Sequence, residues 1–166
     1  MLKPSDITLL GFLLTIFAGG LGVFIASYIK DIFDKKSRNF QMIEKIRDED
    51  SQRVIETINS LNSVCVNYWQ SDAQALSEAE PISRAKINAL QHYVNEQISL
   101  LYGGNEALLR EVQVASVAFL DAVSGGDFGS SKRKKNYDRI QSIELESYRL
   151  VHTVRKCRRL LPRSRF

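Results

Sequence analysis

The side chains able to do chemistry are few. The 166 residues include only two histidines, His92 and His152, and two cysteines, Cys65 and Cys157. Neither histidine has a second ligand at metal spacing, so no metal site and no cofactor are assigned. No serine or cysteine stands with an oriented base of the kind nucleophilic catalysis requires. The cysteines are far apart and outside any CxxC spacing, which reads as two small buried apolar residues in a reducing compartment. The stretch GGDFGSSK lacks the GxxxxGK[ST] spacing of a phosphate loop and follows a helical segment instead of a strand. One constellation remains. Arg149 and His152 lie three apart, on one face if the segment is helical, and are the candidate catalytic pair.

Two basic runs are candidates for binding. Lys132-Arg133-Lys134-Lys135 follows a glycine-rich loop and could meet nucleic acid or another polyanion. No aromatic residue is interleaved to stack on bases, so the plainer reading is a solvated loop paired with Asp72, Glu78 and Glu80. The tail RKCRRLLPRSRF has six basic residues in twelve. Arg155, Lys156, Arg158 and Arg159 could touch anionic lipid headgroups, each contributing on the order of 1 kcal/mol. The alternative is a favourable basic helix end, or pairing with the acidic middle of the chain.

That middle is distinct. Residues 30–47 are net +3, residues 48–129 net −8 and residues 130–166 net +9, within an overall +4. Such an asymmetry draws segments together or draws outside partners. With 44% hydrophobic residues and only three prolines, the composition favours long helices over short strands.

The strongest signal lies at the amino terminus. Residues 7–29, ITLLGFLLTIFAGGLGVFIASYI, contain no charge. As a helix they would measure about 34 Å, enough to cross the hydrocarbon core. Ala18-Gly19-Gly20 looks like a cleavage site, but the apolar run continues past it, as suits a retained anchor. Lys30, Lys35, Lys36, Arg38, Lys45 and Arg47 follow the span and only Lys3 precedes it. The expected protein is therefore single-pass in the inner membrane, with its carboxyl-terminal domain in the cytoplasm. Gly11, Thr15, Gly19, Gly22 and Ala26, with Thr8, recur at steps of three and four. Such a stripe lets helices approach closely and predicts a homo-oligomer, although glycine and alanine are also simply common in membrane helices. A charge-free span argues against an ion relay.

Residues 30–50 read as a helical neck with room for a break near Asp48–Ser51. From Ser51 to 166 the pattern predicts a four-helix antiparallel bundle, so the chain as a whole is all-α. Val54, Ile58, Leu61, Cys65 and Tyr68 form the face of the first helix, which is expected to end near Trp69, with a loop over 70–81. Helix two, 82–102, opens at Pro81 and presents Ile87, Leu90, Val94, Ile98 and Leu101. Asn105 caps helix three, 105–123, with Leu108, Leu109, Val112, Ala115, Phe119 and Val123. SGGDFGSS reads as a flexible loop. Helix four, roughly 136–161, carries Tyr137, Ile140, Ile143, Tyr148, Val151, Val154 and Leu161, and Pro162 ends it. No alternating run is long enough for a strand.

At Arg149 and His152 the chain resembles the HEPN superfamily, whose ribonucleases are helical bundles with an Arg-x(4–6)-His motif on a late helix. Here two residues separate the pair, a departure from that spacing. The resemblance implies a site shared by two protomers and RNA as substrate. In helix order and length, most of the chain resembles the small accessory membrane protein of type VI-B CRISPR systems, a membrane helix joined to a degenerate HEPN-like bundle. That resemblance implies assembly into a membrane pore in antiviral defence. Three functions are expected in order: a non-enzymatic membrane effector that oligomerises and perturbs permeability, a membrane-tethered scaffold recruiting a cytoplasmic partner, and a membrane-bound HEPN-like ribonuclease.

Overall fold

The computed structural model describes the backbone of residues 4–161 and, Phe24 apart, the side chains of residues 22–161. Every regular element in that range is a helix. The order is α1 (Pro4–Trp69), α2 (Ala73–Leu76), α3 (Ala79–Tyr102), α4 (Glu106–Ser124) and α5 (Tyr137–Leu160). The chain divides into two units, residues 1–44 and 45–166. Most of the apolar segment 7–29, including the expected contacts of Gly11, Thr15 and Gly19, lies outside the described side chains, as does the chain beyond Leu161. Among the described residues no helix is long and apolar enough to cross a membrane.

In the first unit the described surface of α1 is exposed as far as Asn39, with Val23, Tyr28 and Phe33 each more than half open, and Phe40 and Ile43 are half-buried. Ala26 is exposed too, and a Cβ on Gly22 would meet nothing within 4 Å. Lys35 and Asp31 form an i,i+4 pair at 2.8 Å.

The helix does not break at Asp48–Ser51. The acidic cluster there is offset along the helix itself, by Lys45–Glu49 at 3.9 Å and Arg53–Asp50 at 3.4 Å, and Ser51 is already buried. Below it Val54, Ile58, Leu61, Cys65 and Tyr68 are all buried, as their spacing of four and three predicts. They pack with Ile87, Val94 and Ile98 of α3, Val112 and Phe119 of α4, and Ile143, Leu150 and Val154 of α5 in one core. Each such side chain contributes roughly 1.5–3 kcal/mol on burial.

Local caps set the helix starts. The Asn105 side chain accepts from the Leu108 amide at 3.2 Å, and Asn136 accepts from Arg139 at 2.9 Å. The directions follow from cross-helix bonds. Arg158 pairs with Asp48 at 2.8 Å while the Asn136 amide donates to the Trp69 carbonyl at 3.0 Å, so α5 runs antiparallel to the second-unit part of α1. Lys156–Glu111 and Arg139–Ala122 bonds set α5 antiparallel to α4 in the same way.

Two sequence expectations shift. The stretch after Trp69 is not all loop, because α2 forms within it, anchored by the Ala73 amide donating to the Arg133 carbonyl at 2.9 Å. On α5 the buried stripe runs Ile143, Ser147, Leu150, Val154, Cys157, while Tyr137 and Tyr148 stay 66% and 71% exposed. The aromatic at 148 sits one residue off the stripe. The small Ser147 takes the inward position, where it allows the helices to approach.

Candidate functional site

Three places gather the candidate residues. The first is a groove between α4 and α5, about 560 Å³ in volume, lined by Glu111, Val114, Ala118, Tyr148, Arg149 and His152 among others. Arg149 and His152 thus share one surface, as their spacing implies. Arg149 is already engaged, donating from Nη1 to Glu146 Oε1 at 2.6 Å. His152 is exposed. The groove joins a neutralised guanidinium, an imidazole and two carboxylates beside an apolar floor, and its Thr153 hydroxyl donates to the Arg149 carbonyl at 2.9 Å. Cys157 lies near its rim, and burial pushes that thiol up to about 11, so it stays protonated.

The second is the end of α5. Lys156 Nζ lies 2.7 Å from Glu111 Oε1. This bond holds the Glu111 carboxyl below its ordinary range and raises Lys156 above its own. The Arg158 side chain is largely covered and pairs with Asp48. Arg155 and Arg159 are exposed. The four candidates are therefore split, two in ion pairs with acidic residues of the middle segment and two on the surface.

The third place is the other end of the bundle, where sequence and structure differ most. Lys132, Lys134 and Lys135 are exposed, but Arg133 is only 1% accessible. Its guanidinium lies over the Tyr68 ring, 3.9 Å from the centroid, and 5.4 Å from that of Trp69. Nη1 donates to the carbonyls of Tyr68 and Ser71. Arg133 therefore caps the carboxyl end of α1, a helix with no basic residue in its own last turn. The same device recurs on α4, whose last turn also lacks a cation. There Arg139 donates to the carbonyls of Asp121 and Ala122 at 3.3 and 2.9 Å and lies 4.8 Å from the Trp69 centroid.

Tyr68 and Trp69 hold this end together. Trp69 Nε1 donates to the Val123 carbonyl at 3.0 Å. The Tyr68 hydroxyl donates to Glu80 at 2.8 Å and accepts from the Gly129 amide at 3.0 Å. Burial raises its pKa. The glycine-rich segment expected to be a flexible loop is fastened on several sides, with Arg84 also donating to the Gly129 carbonyl at 3.1 Å. The expected pairing of the run with Asp72 exists as a backbone contact, the Lys135 amide to Asp72 Oδ1 at 2.7 Å. Glu80 serves Tyr68 instead.

Sequence reading placed Tyr68 and Trp69 on a helix face and at its end, and did not single out Arg84 or Arg139. The available signal was the missing cation in the last turns of α1 and α4. Among the described residues no cluster of three or more His, Cys, Asp or Glu could hold a metal. No family model matches the chain, and no curated protein or solved structure matches it.

Proposed function

We propose that the chain is a single-pass inner-membrane protein with a cytoplasmic helical bundle, and that it works by assembling in the membrane and changing its permeability. The four long helical segments, one of them the second half of α1, would act as an antiparallel bundle carried by the anchor. One observation carries the reading. The uncharged segment 7–29 belongs to the same unbroken helix, α1, that supplies Val54, Ile58 and Leu61 to the bundle core. The cationic neck favours the cytoplasmic side for that core, and the small-residue stripe favours helix association in lipid. The resemblance to accessory membrane proteins of type VI-B CRISPR systems adds antiviral defence as the setting.

A second reading, a tethered scaffold, is favoured by the open groove between α4 and α5, where Val114 is 68% and Tyr148 71% exposed on one surface. The HEPN-like ribonuclease ranks third, since Arg149 is held by Glu146 and the Arg-His spacing is short.

Topology is tested with Asn59→Cys, an exposed position on the bundle. A membrane-impermeant maleimide should label it only after lysis. Labelling in intact cells would overturn the reading. Entry of an impermeant dye into expressing cells separates effector from tether. Dye entry that Gly19→Leu with Gly22→Leu abolishes supports the effector, and dye exclusion by the parent supports the tether.

A further inference from the structure

The basic run at 132–135 has an odd construction: three exposed lysines flank one buried arginine. Among the described residues Arg133 makes no ion pair, and its Nε and Nη2 find no hydrogen-bond acceptor. Only Nη1 is used, on two carbonyls at the end of α1. A buried guanidinium that leaves donors unmet is incompletely compensated for its lost water. We propose that residues 125–136 are a releasable strap, and that a phosphate polyanion docking on Lys132, Lys134 and Lys135 draws Arg133 out of its seat on Tyr68 and Trp69.

The structure shows the seated state, and the released state follows from its unmet donors. In the seated state Lys132 and Lys134 line a hollow of about 320 Å³ with Asp72, Gln74, Ser131 and Arg133, and Lys135 is exposed next to them in sequence. The Asp72 carboxylate opposes an anion there, but it is occupied by the Lys135 amide. In the released state Arg133 regains water on its unmet donors and adds a fourth cation to the polyanion site. A ligand that meets three cations in one state and four in the other shifts the balance by that difference, and the coupling is reciprocal. The strap has places to bend. Gly126 and Gly129 adopt φ +66° and +77°, which glycine accepts without strain. Release would break the Ala73–Arg133 backbone bond and uncap α1. The consequence would be a bundle end whose order depends on a bound polyanion, whether or not the chain sits in a membrane.

Trp69 is the only tryptophan, is fully buried and lies between Arg133 and Arg139, so it reports the seat directly. The full chain in detergent is titrated with inorganic polyphosphate and, separately, with a single-stranded RNA oligonucleotide. Acrylamide quenching of Trp69 is followed, and affinity is measured against salt. Quenching should rise saturably with at least one of the two. A response to both indicates any phosphate chain as ligand, and a response to RNA alone indicates nucleic acid.

Arg133→Met keeps an apolar stem in the ring stack. It should bind with a slope of log affinity on log salt shallower by about one, because it lacks the fourth contact. The basic tail contributes equally to both proteins and cancels in that difference. Lys134→Gln should lose a similar slope yet keep the full Trp69 response at saturation, which guards against misfolding of the Met variant. Absence of binding, binding without a Trp69 response, or equal slopes for parent and Arg133→Met would each overturn the strap.

Discussion

The two basic segments, 132–135 and 155–159, look alike in sequence and are used in opposite ways. In the first, the central arginine is buried against two aromatic rings and caps a helix belonging to a distant part of the chain. In the second, cations lie on α5 itself, where Lys156 and Arg158 form ion pairs with Glu111 and Asp48 and two arginines face solvent. The difference is one of supply. α5 brings its own basic residues, Arg158 and Arg159, to its last turn, whereas α1 has none and borrows one. A run of charge in a sequence therefore does not say which member leaves water. The need of a neighbouring helix end does.

Substitutions at the two segments should separate accordingly. The largest effect belongs to Trp69→Ala, which empties a fully buried site and removes the bond to Val123. Denaturant unfolding followed by circular dichroism should show a loss of about 3–5 kcal/mol. Arg133→Ala strands two helix-end carbonyls while removing an incompletely compensated buried cation, and should cost about 1–2 kcal/mol, against about 0.5 kcal/mol or less for the exposed Arg159→Ala. Equal losses at Arg133 and Arg159 would erase the contrast. Gly129→Ala should cost about 1–2 kcal/mol, since its φ is +77° and the new Cβ would sit 3.1 Å from Arg84 Nη1.

The smallest effect is at the α5 end. Glu111 has a lowered pKa, so its contribution is present above the ordinary carboxylate pKa and fades as pH falls through the lowered value. Lys156 is raised, so its contribution fades as pH rises through the raised value. Glu111→Gln should therefore differ slightly from the parent at neutral pH and match it in strong acid. A difference that grows toward acid would contradict the assignment.

The core helices were legible because burial imposes a period. The steps from Val54 to Tyr68 place those residues inside whatever packs against them. The stripe of α5 was harder, since Tyr148 outweighs Ser147 in apolarity while packing demands the smaller residue inward. Arg133 was illegible locally, because what buries it is an α1 terminus 62 to 65 positions away in sequence. The groove at Arg149 and His152 was anticipated as a shared face, but Glu146, which occupies Arg149, was not.

The proposed assembly through residues 7–29 sets the mass of the full chain in detergent. The parent should run as one closed assembly larger than a dimer. Gly19→Leu with Gly22→Leu should still insert, since both changes raise apolarity, yet run as a smaller particle. A monomeric parent, or a double variant that keeps the parent's mass, would contradict the proposed assembly through residues 7–29 and favour the proposed tether instead.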